Sequence, residues 1–509
     1  MAWYNNIFNR TPKPQKKTFK RSYQGASTGR LFADFLTSSK SANAEIKDNL
    51  RTLRDRAREL ARNDSYINRY LNLMISNVVG KHGVRISSKA RNDNGSLDLL
   101  ANRQIEDAWK QWTKYGVPTA NGKMSFLDCQ KLFVESLARD GEVLVRHIKT
   151  NKNPFGYHIQ FLEADYLDED LNSVAKNGNK ICMGVEVDSY YRPVAYHLFK
   201  EHPYDTTYSA KYNKKHIRVP AEEITHCYMP NRAEQTRGVS HIATAMANVA
   251  QLNGYLEAEI VSARLGASKS GFFSSPDGNS YVGDGVEDTF NPVMNVEPGT
   301  FQQLPDGMQF TPYDPTHPTS AFESFTTTVL RSIASGLNIS YHALSNDLTS
   351  VNYSSIRQGA LEDRSNFQIW QEFVIQHFID VVFKRWLEMA ITTKAINLPI
   401  GKFDKFANSI NYIPRSFSWI DPLKEMQANV VGLQNGITTY SDIVSSYGKD
   451  VEETFEQHQK EQELAAQYGI ETAFQPFGQK APVDAIVQGG NQEDEDLSLI
   501  HISEPTRPY

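Results

Sequence analysis

From residue 42 to 79 apolar residues recur at three- and four-residue steps, which predicts helix. Leu50, Leu53, Ala57, Leu60 and Ala61 form one stripe. Asn63, Asp64 and Ser65 interrupt it and cap a second helix carrying Ile67, Leu71, Met74 and Val78, which Gly80 and Gly83 end. The same spacing predicts helices over 97–115, where Ile105, Trp109 and Trp112 share a face, and over 126–138. The pattern then changes to alternation and short apolar runs at 141–150, 156–167, 181–199 and 222–229, which predicts strands, with a turn at 188–193. Helix and strand in separate blocks point to an α+β fold. After Gly238 the helical pattern returns over 240–267, a rod of ~42 Å if fully helical. Residues 271–318 are rich in Gly and Pro with short strand-like pieces. Helices are then predicted over 320–337, over 354–392 and, charged and Gln-rich, over 423–469. No repeat of 20–50 residues is visible. Residues 470–509 are read as unstructured, and 498–509, "SLIHISEPTRPY", as a non-native addition.

Composition narrows the picture. The chain has 509 residues, room for three or four domains, and 40% hydrophobic residues, enough for real cores. A net charge of -5 argues against a protein that grips nucleic acid with its whole surface. The three cysteines, Cys129, Cys182 and Cys227, are far apart and odd in number, which argues against a disulfide framework. No apolar run approaches the ~20 residues that span a bilayer, so no membrane partner is expected. The N-terminus lacks an apolar signal core and forms a basic arm: Arg10, Lys13, Lys16, Lys17, Lys20 and Arg21. It is either a solvated tail or a contact for an anionic partner.

Candidate chemistry is sparse. No Gly-rich phosphate loop occurs, and His226-Cys227 has no CxxC or HExxH to support a metal site. His226 and the three cysteines read as core residues of apolar segments, and Trp109, Trp112, Trp370 and Trp386 as core anchors. Arg51, Arg54, Arg56, Arg58 and Arg62, interleaved with Asp48, Asp55 and Glu59, read as a salt-bridged solvated face. The carboxylates of "LEADYLDEDL" (162–171) read as a solvated loop. No metal, cofactor or catalytic residue is expected. A distinct feature is "SNDLTSVNYSSIRQ" (345–358), nearly all polar and almost uncharged, set between two helical segments.

Taken in order, several segments resemble the lambda-type family of tailed-phage portal proteins. They are "LRDRARELARNDSYINRYLNLMISNVVGKHGVRI", "ARDGEVLVRH", "IQFLEADYLD", "PNRAEQTRGVS" (230–240), "NYSSIR" (352–357) and "DPLKE" (421–425) followed by "NGITTYSDI" (435–443). The resemblance runs over about 20–470. It implies an α+β, mostly helical, ring-forming portal fold with wing, stem, clip and crown parts and no catalytic residues. By position, 1–39 is the arm, 40–237 the wing, 238–268 the first stem helix, 269–318 the clip and 319–337 the second stem helix. Residues 338–353 are the channel-loop region, 354–392 a long helix back to the wing, 393–470 the crown and 471–509 a tail. The implied partners are further copies of the chain, usually twelve, double-stranded DNA in transit, terminase, capsid or scaffold protein, and head-completion proteins. The implied location is the virion vertex, after assembly in the host cytoplasm.

The polar segment suits that role. DNA carries one negative charge per ~1.7 Å, so a lysine-lined wall would hold it and stall its passage. Ser345, Asn346, Thr349, Ser350, Asn352 and Tyr353 offer only neutral contacts, each worth ~1 kcal/mol or less in water, and Asp347 would repel phosphate. A plain interhelical loop is the other reading. The apolar stripe Ile242, Ala245, Met246, Val249, Leu252, Leu256, Ile260 and Ala263 would be buried between neighbouring copies. A phage hydrolase with a dispersed site and a non-pore adaptor are the alternatives, the first distinguished by cutting of plasmid DNA with Mg²⁺, the second by the absence of a ring.

Overall fold

The computed structural model describes residues 39–205, 215–267, 271–274, 309–312, 321–349, 353–417, 422–447 and 449–470. Helix α1 (Ala42–Lys47) leads into α2 (Leu50–Asn63) and α3 (Ser65–Met74). The Asp64 side chain accepts from the Ile67 amide at 2.8 Å and so starts α3 where the sequence break falls. A π-helical turn, Ile75–Val79, continues α3 to Gly80, whose φ of 71° ends it. Strand β1 (Arg85–Ser88) follows, then α4 (Leu99–Trp112) and α5 (Phe126–Asp140). A capping box between Ser125 and Asp128 opens α5, and Gly141, left-handed at φ 86°, closes it.

Strands β2 (Glu142–Lys149) and β3 (Tyr157–Leu162) form an antiparallel sheet with the later β9 (Ile224–Tyr228), in the order β3-β2-β9. Between them, β4 (Ser173–Val174), β5 (Lys180–Cys182), β6 (Val185–Val187), β7 (Pro193–Phe199) and β8 (His216–Pro220) run as a five-stranded antiparallel meander. Helix α6 (Met246–Ala267) then leaves the sheets. β10 (Gly271–Ser274) and β11 (Gln309–Pro312) pair with each other beyond its end. Helix α7 (Phe322–Gly336) lies along α6, joined to it by Thr244 Oγ1 donating to the Gly336 carbonyl at 2.6 Å and Asn248 Nδ2 donating to Ser332 Oγ at 3.0 Å.

Short α8 (Tyr341–Ser345) precedes α9 (Tyr353–Val374), which runs through a π turn, Ile375–Ile379, into α10 (Asp380–Thr392). Helix α11 (Phe403–Ala407) and strand β12 (Ile410–Ile413) follow, and β12 returns to pair with β1. The chain ends in α12 (Pro422–Gln434), α13 (Tyr440–Ser446) and α14 (Val451–Gln467).

One core runs through α2 to α5, the three-stranded sheet, the base of α6 and α7, and α9–α10. Its centre is aromatic: Phe133 stacks on Phe378 at 4.5 Å, and Trp386 stands edge-on to Trp109 at 4.9 Å. Each such side chain gains about 1.5–3 kcal/mol from burial. All four tryptophans read as anchors are buried. The two π turns sit next to this core. Gln371 Nε2 donates to the Asn77 and Val78 carbonyls of the first π turn at 3.2 and 3.3 Å and to the Arg415 carbonyl at 3.0 Å.

Three expectations change. First, the apolar stripe of α6 is not free for a neighbour along its whole length. Ile242, Ala245, Met246, Val249 and Leu252 are buried in their own subunit, because α7 and the core cover them. Regular helix also begins at Met246, not at 240. Second, two of the α2 arginines, Arg54 and Arg58, leave the solvated face, while Arg51, Arg56 and Arg62 stay exposed. Arg54 is 2% exposed and pairs with Asp165 at 3.1 Å, and Arg58 pairs with Asp140 and Asp165 at 3.1 and 2.7 Å. Third, the 162–171 carboxylates are not all a solvated loop, since Asp165 and Glu169 are buried against those arginines. Intrahelical spacing favoured local pairs with Asp55 and Glu59, but low-dielectric pairing across the fold binds charge far more strongly.

Candidate functional site

Two places combine unusual chemistry with a position between elements. The first is the root of α6. Glycine Gly238 packs directly on Gly141: a Cβ on Gly238 would sit 2.2 Å from the Gly141 carbonyl oxygen, and one on Gly141 2.1 Å from the Val239 carbonyl carbon. Only glycine permits this approach. It brings Arg237 over Glu142, both fully buried. The guanidinium donates Nε and NH2 to the carboxylate at 2.6–3.1 Å and reaches the Met183 and Ala164 carbonyls at 3.0 and 3.2 Å. The Gly238 amide donates to Glu142 Oε2 at 3.0 Å, and His226 Nε2 lies 3.0 Å from the same oxygen. Burial alone would push the Glu142 carboxyl up, but Arg237 and His226 hold it well below the usual carboxylate range. This centre ties α5, β2, β9 and the approach to α6 into one unit. Sequence reasoning quoted its residues but assigned it no role; the glycine-flanked charges in "DGE" and "TRG" were the available signal.

The second place is the predicted polar segment. Ser340 caps α8, its hydroxyl accepting from the Ala343 amide at 3.3 Å and donating to Asp363 Oδ2 of α9 at 2.6 Å. Arg69 of α3 donates to the Ala343 carbonyl at 3.3 Å, so α8 is held from both sides. Ser345 is the last residue of α8 and bonds back to the Tyr341 carbonyl at 2.8 Å. Asn346 ends the helix in the left-handed region at φ 55° and is exposed. Asp347 accepts the Thr349 amide and hydroxyl on Oδ1 at 3.0 and 2.7 Å and the Tyr341 hydroxyl on Oδ2 at 2.9 Å. The Thr349 hydroxyl and amide, with Tyr341, pull its pKa down to about 2. Leu348 and Thr349 are exposed. Ser350 and Asn352 lie outside the described residues, and Tyr353 begins α9. The structure thus brings Ser345, Asn346, Asp347 and Thr349 together at one helix end. It also brings Leu348, 59% exposed, to the same end.

Burial raises the Cys129 thiol and pushes Cys227 up to about 12, which keeps both protonated. Cys182 is half-buried. Glu163, Asp165 and His202 converge, but Arg58 and Arg54 already neutralise Asp165. Among the described residues no helix is long and apolar enough to cross a membrane.

The family model for lambda-family phage portal proteins matches residues 28–371. A probable portal protein of Halomonas phage phiHAP-1 is 31% identical over 95% of this chain and 94% of its own. The portal protein of Escherichia phage N15 is 23% identical over 95% of this chain and 98% of its own. A chain from the neck of an empty GTA particle superposes with a TM-score of 0.43 at 13% identity, over 83% of this chain and 99% of that one. The chain belongs to the lambda family of phage portal proteins. It is a component of the portal ring at the capsid vertex of the virion, structural and not enzymatic.

Proposed function

We propose that copies of this chain, twelve in the expected ring, close around a duplex that passes through during packaging and ejection, with Ser345–Tyr353 facing the axis. The observation that carries this reading is the α8–α9 segment. Among the described residues of 345–353 its exposed side chains, Asn346, Leu348 and Thr349, are uncharged, and Asp347 is bonded to Thr349 and Tyr341. The described residues of this stretch offer phosphate no cation of their own, and the exposed Arg69 and Arg331 beside α8 lie against Ala343 and Tyr341. In this reading 40–237 is the wing, α6 and α7 lie in the 238–268 and 319–337 stem, 269–318 is the clip that meets terminase and later the head-completion proteins, and 393–470 is the crown. Ile260 and Val261 on the far half of α6, and Phe325 on α7, stay exposed in one subunit and are the side chains a neighbouring copy would cover. Capsid or scaffold protein is a further partner, and assembly takes place in the host cytoplasm.

Placing arginine at Asn346 and Thr349 tests the reading. Rings should still assemble, but DNA packaging in extracts should stall. Full packaging by the doubly arginine-substituted ring would overturn the assignment of this segment to the channel wall.

A further inference from the structure

Two guanidinium groups converge on α8 from different helices. Arg69 of α3 donates Nε to the Ala343 carbonyl at 3.3 Å, and the Arg331 guanidinium of α7 lies over the Tyr341 ring, 5.5 Å from its centroid. Both arginines are exposed, and among the described residues neither has a carboxylate in ion-pair contact. The acids nearest α8 are engaged elsewhere. Asp347 accepts from Thr349 and from the Tyr341 hydroxyl, and Asp363 accepts the Ser340 amide and hydroxyl at 2.8 and 2.6 Å. Arg54, Arg58 and Arg237 show the opposite arrangement, each met by a carboxylate. Arg69 and Arg331 are instead steadied by a neutral group, one through a hydrogen bond and one through a ring face. Their other N–H donors have no acceptor among the described residues.

We propose that Arg69 and Arg331 form a contact band for DNA phosphate, set back behind the neutral end of α8. This rests on the reading of Ser345–Tyr353 as channel wall and adds what stands behind that wall. The planar fork of a guanidinium matches the oxygens of a phosphodiester, so two forks without acids favour that ligand. Distance allows it as well. Helix α8 spans about 7.5 Å at 1.5 Å per residue, less than the ~10 Å over which salt screens a charge. A phosphate passing Asn346 and Thr349 therefore feels both cations. Phosphate contacts carry no base information, so the band takes a duplex of any sequence. Asp347, bonded to the Tyr341 hydroxyl beneath Arg331, offsets part of this positive charge and keeps the contact weak. Such a contact steadies a duplex at rest and releases it readily, because counterions replace the arginines at each step.

Titration of the full chain with a fluorescent duplex over a range of salt concentrations tests this. In Arg69→Gln with Arg331→Gln, affinity at low salt should fall about tenfold, and the slope of log affinity against log salt should shrink by about one or more. Arg69→Lys with Arg331→Lys keeps both charges and should keep most of that slope. The basic N-terminal arm is the same in every variant, so a difference in slope belongs to the two arginines. An unchanged slope in the glutamine pair overturns the proposal. Equal loss in the glutamine and lysine pairs also overturns it, because the arginines would then serve only to hold α8. Electron cryomicroscopy of the same samples tells the two readings apart. A ring with Asn346 on its inner wall and an unchanged slope removes the phosphate band alone. A segment on the outer face removes the channel reading and leaves the slope to decide the phosphate contact.

Discussion

Arg237 and Glu142 face each other with no solvent between them, the guanidinium lying fork-to-fork on the carboxylate at 2.6–3.1 Å. Arg237 lies between the end of β9 at Tyr228 and the start of α6, nine positions before Met246. A buried ion pair adds little net energy compared with a well-packed apolar one, but losing one partner strands the other charge. Its contribution here is to fix the direction in which α6 departs.

Arg237→Ala is therefore expected to cost about 3–5 kcal/mol, measured by chemical unfolding of the purified chain. The double change Arg237→Met with Glu142→Leu should recover most of that loss. Equal stability of Arg237→Ala and the natural chain would contradict the assignment.

Gly141→Ala and Gly238→Ala should each destabilise by more than about 1 kcal/mol. Each added Cβ lands within 2.3 Å of backbone, which cannot swing aside as a side chain would. Gly141 also needs φ 86°. Gly254 has open space around its Cβ position and a helical backbone, so Gly254→Ala should be neutral or stabilising. Thermal melts of the three variants check the contrast.

Stability should fall as pH drops below neutrality. Burial first, then Arg385, holds the His147 pKa down at about 3, and burial holds His241 at about 4. The unfolded chain protonates its histidines near pH 6.5. The folded state refuses those protons, so this contribution is complete above about pH 6.5 and is lost as pH falls toward 4 and then 3. His147→Gln should flatten the fall in melting temperature between pH 6.5 and 4.5. A slope as steep as in the natural chain would count against it.

Asp347→Asn and Tyr341→Phe should loosen the α8–α9 segment without unfolding the subunit. The Thr349 amide, bonded to Asp347 at 3.0 Å, should exchange faster with deuterium in Asp347→Asn, while the melting temperature stays close to that of the natural chain. An unchanged Thr349 rate would show that the carboxylate does not hold the segment.

Long, strongly periodic elements were legible from the chain alone. The run predicted over 354–392 is α9 to α10, 353–392, and the Trp109 and Trp386 faces meet in the core. What escaped depended on distance. Strand β1 has four residues and no pattern of its own; it exists because β12, more than three hundred positions later, pairs with it through Arg85↔Ile413. Arg54 looked like any surface arginine on a helix, since nothing local reveals that Asp165 and Glu169 fold over it. The near half of the α6 stripe, Ile242 to Leu252, is buried while Ile260 and Ala263 are exposed, and periodicity cannot say whether cover comes from the same subunit. Of the polar segment, its composition was readable; its staple from Asp347 to Tyr341 was not, because a loop hydrogen bond leaves no periodic trace.

Electron cryomicroscopy of the purified, assembled protein tests the central claim most directly. The account predicts a closed annulus wide enough for a duplex, with Asn346 and Thr349 of every subunit on its inner wall, nearer the axis than Arg69 and Arg331. Persistent monomers at high concentration, or an annulus in which the α8–α9 segment packs against the outer face, would contradict it.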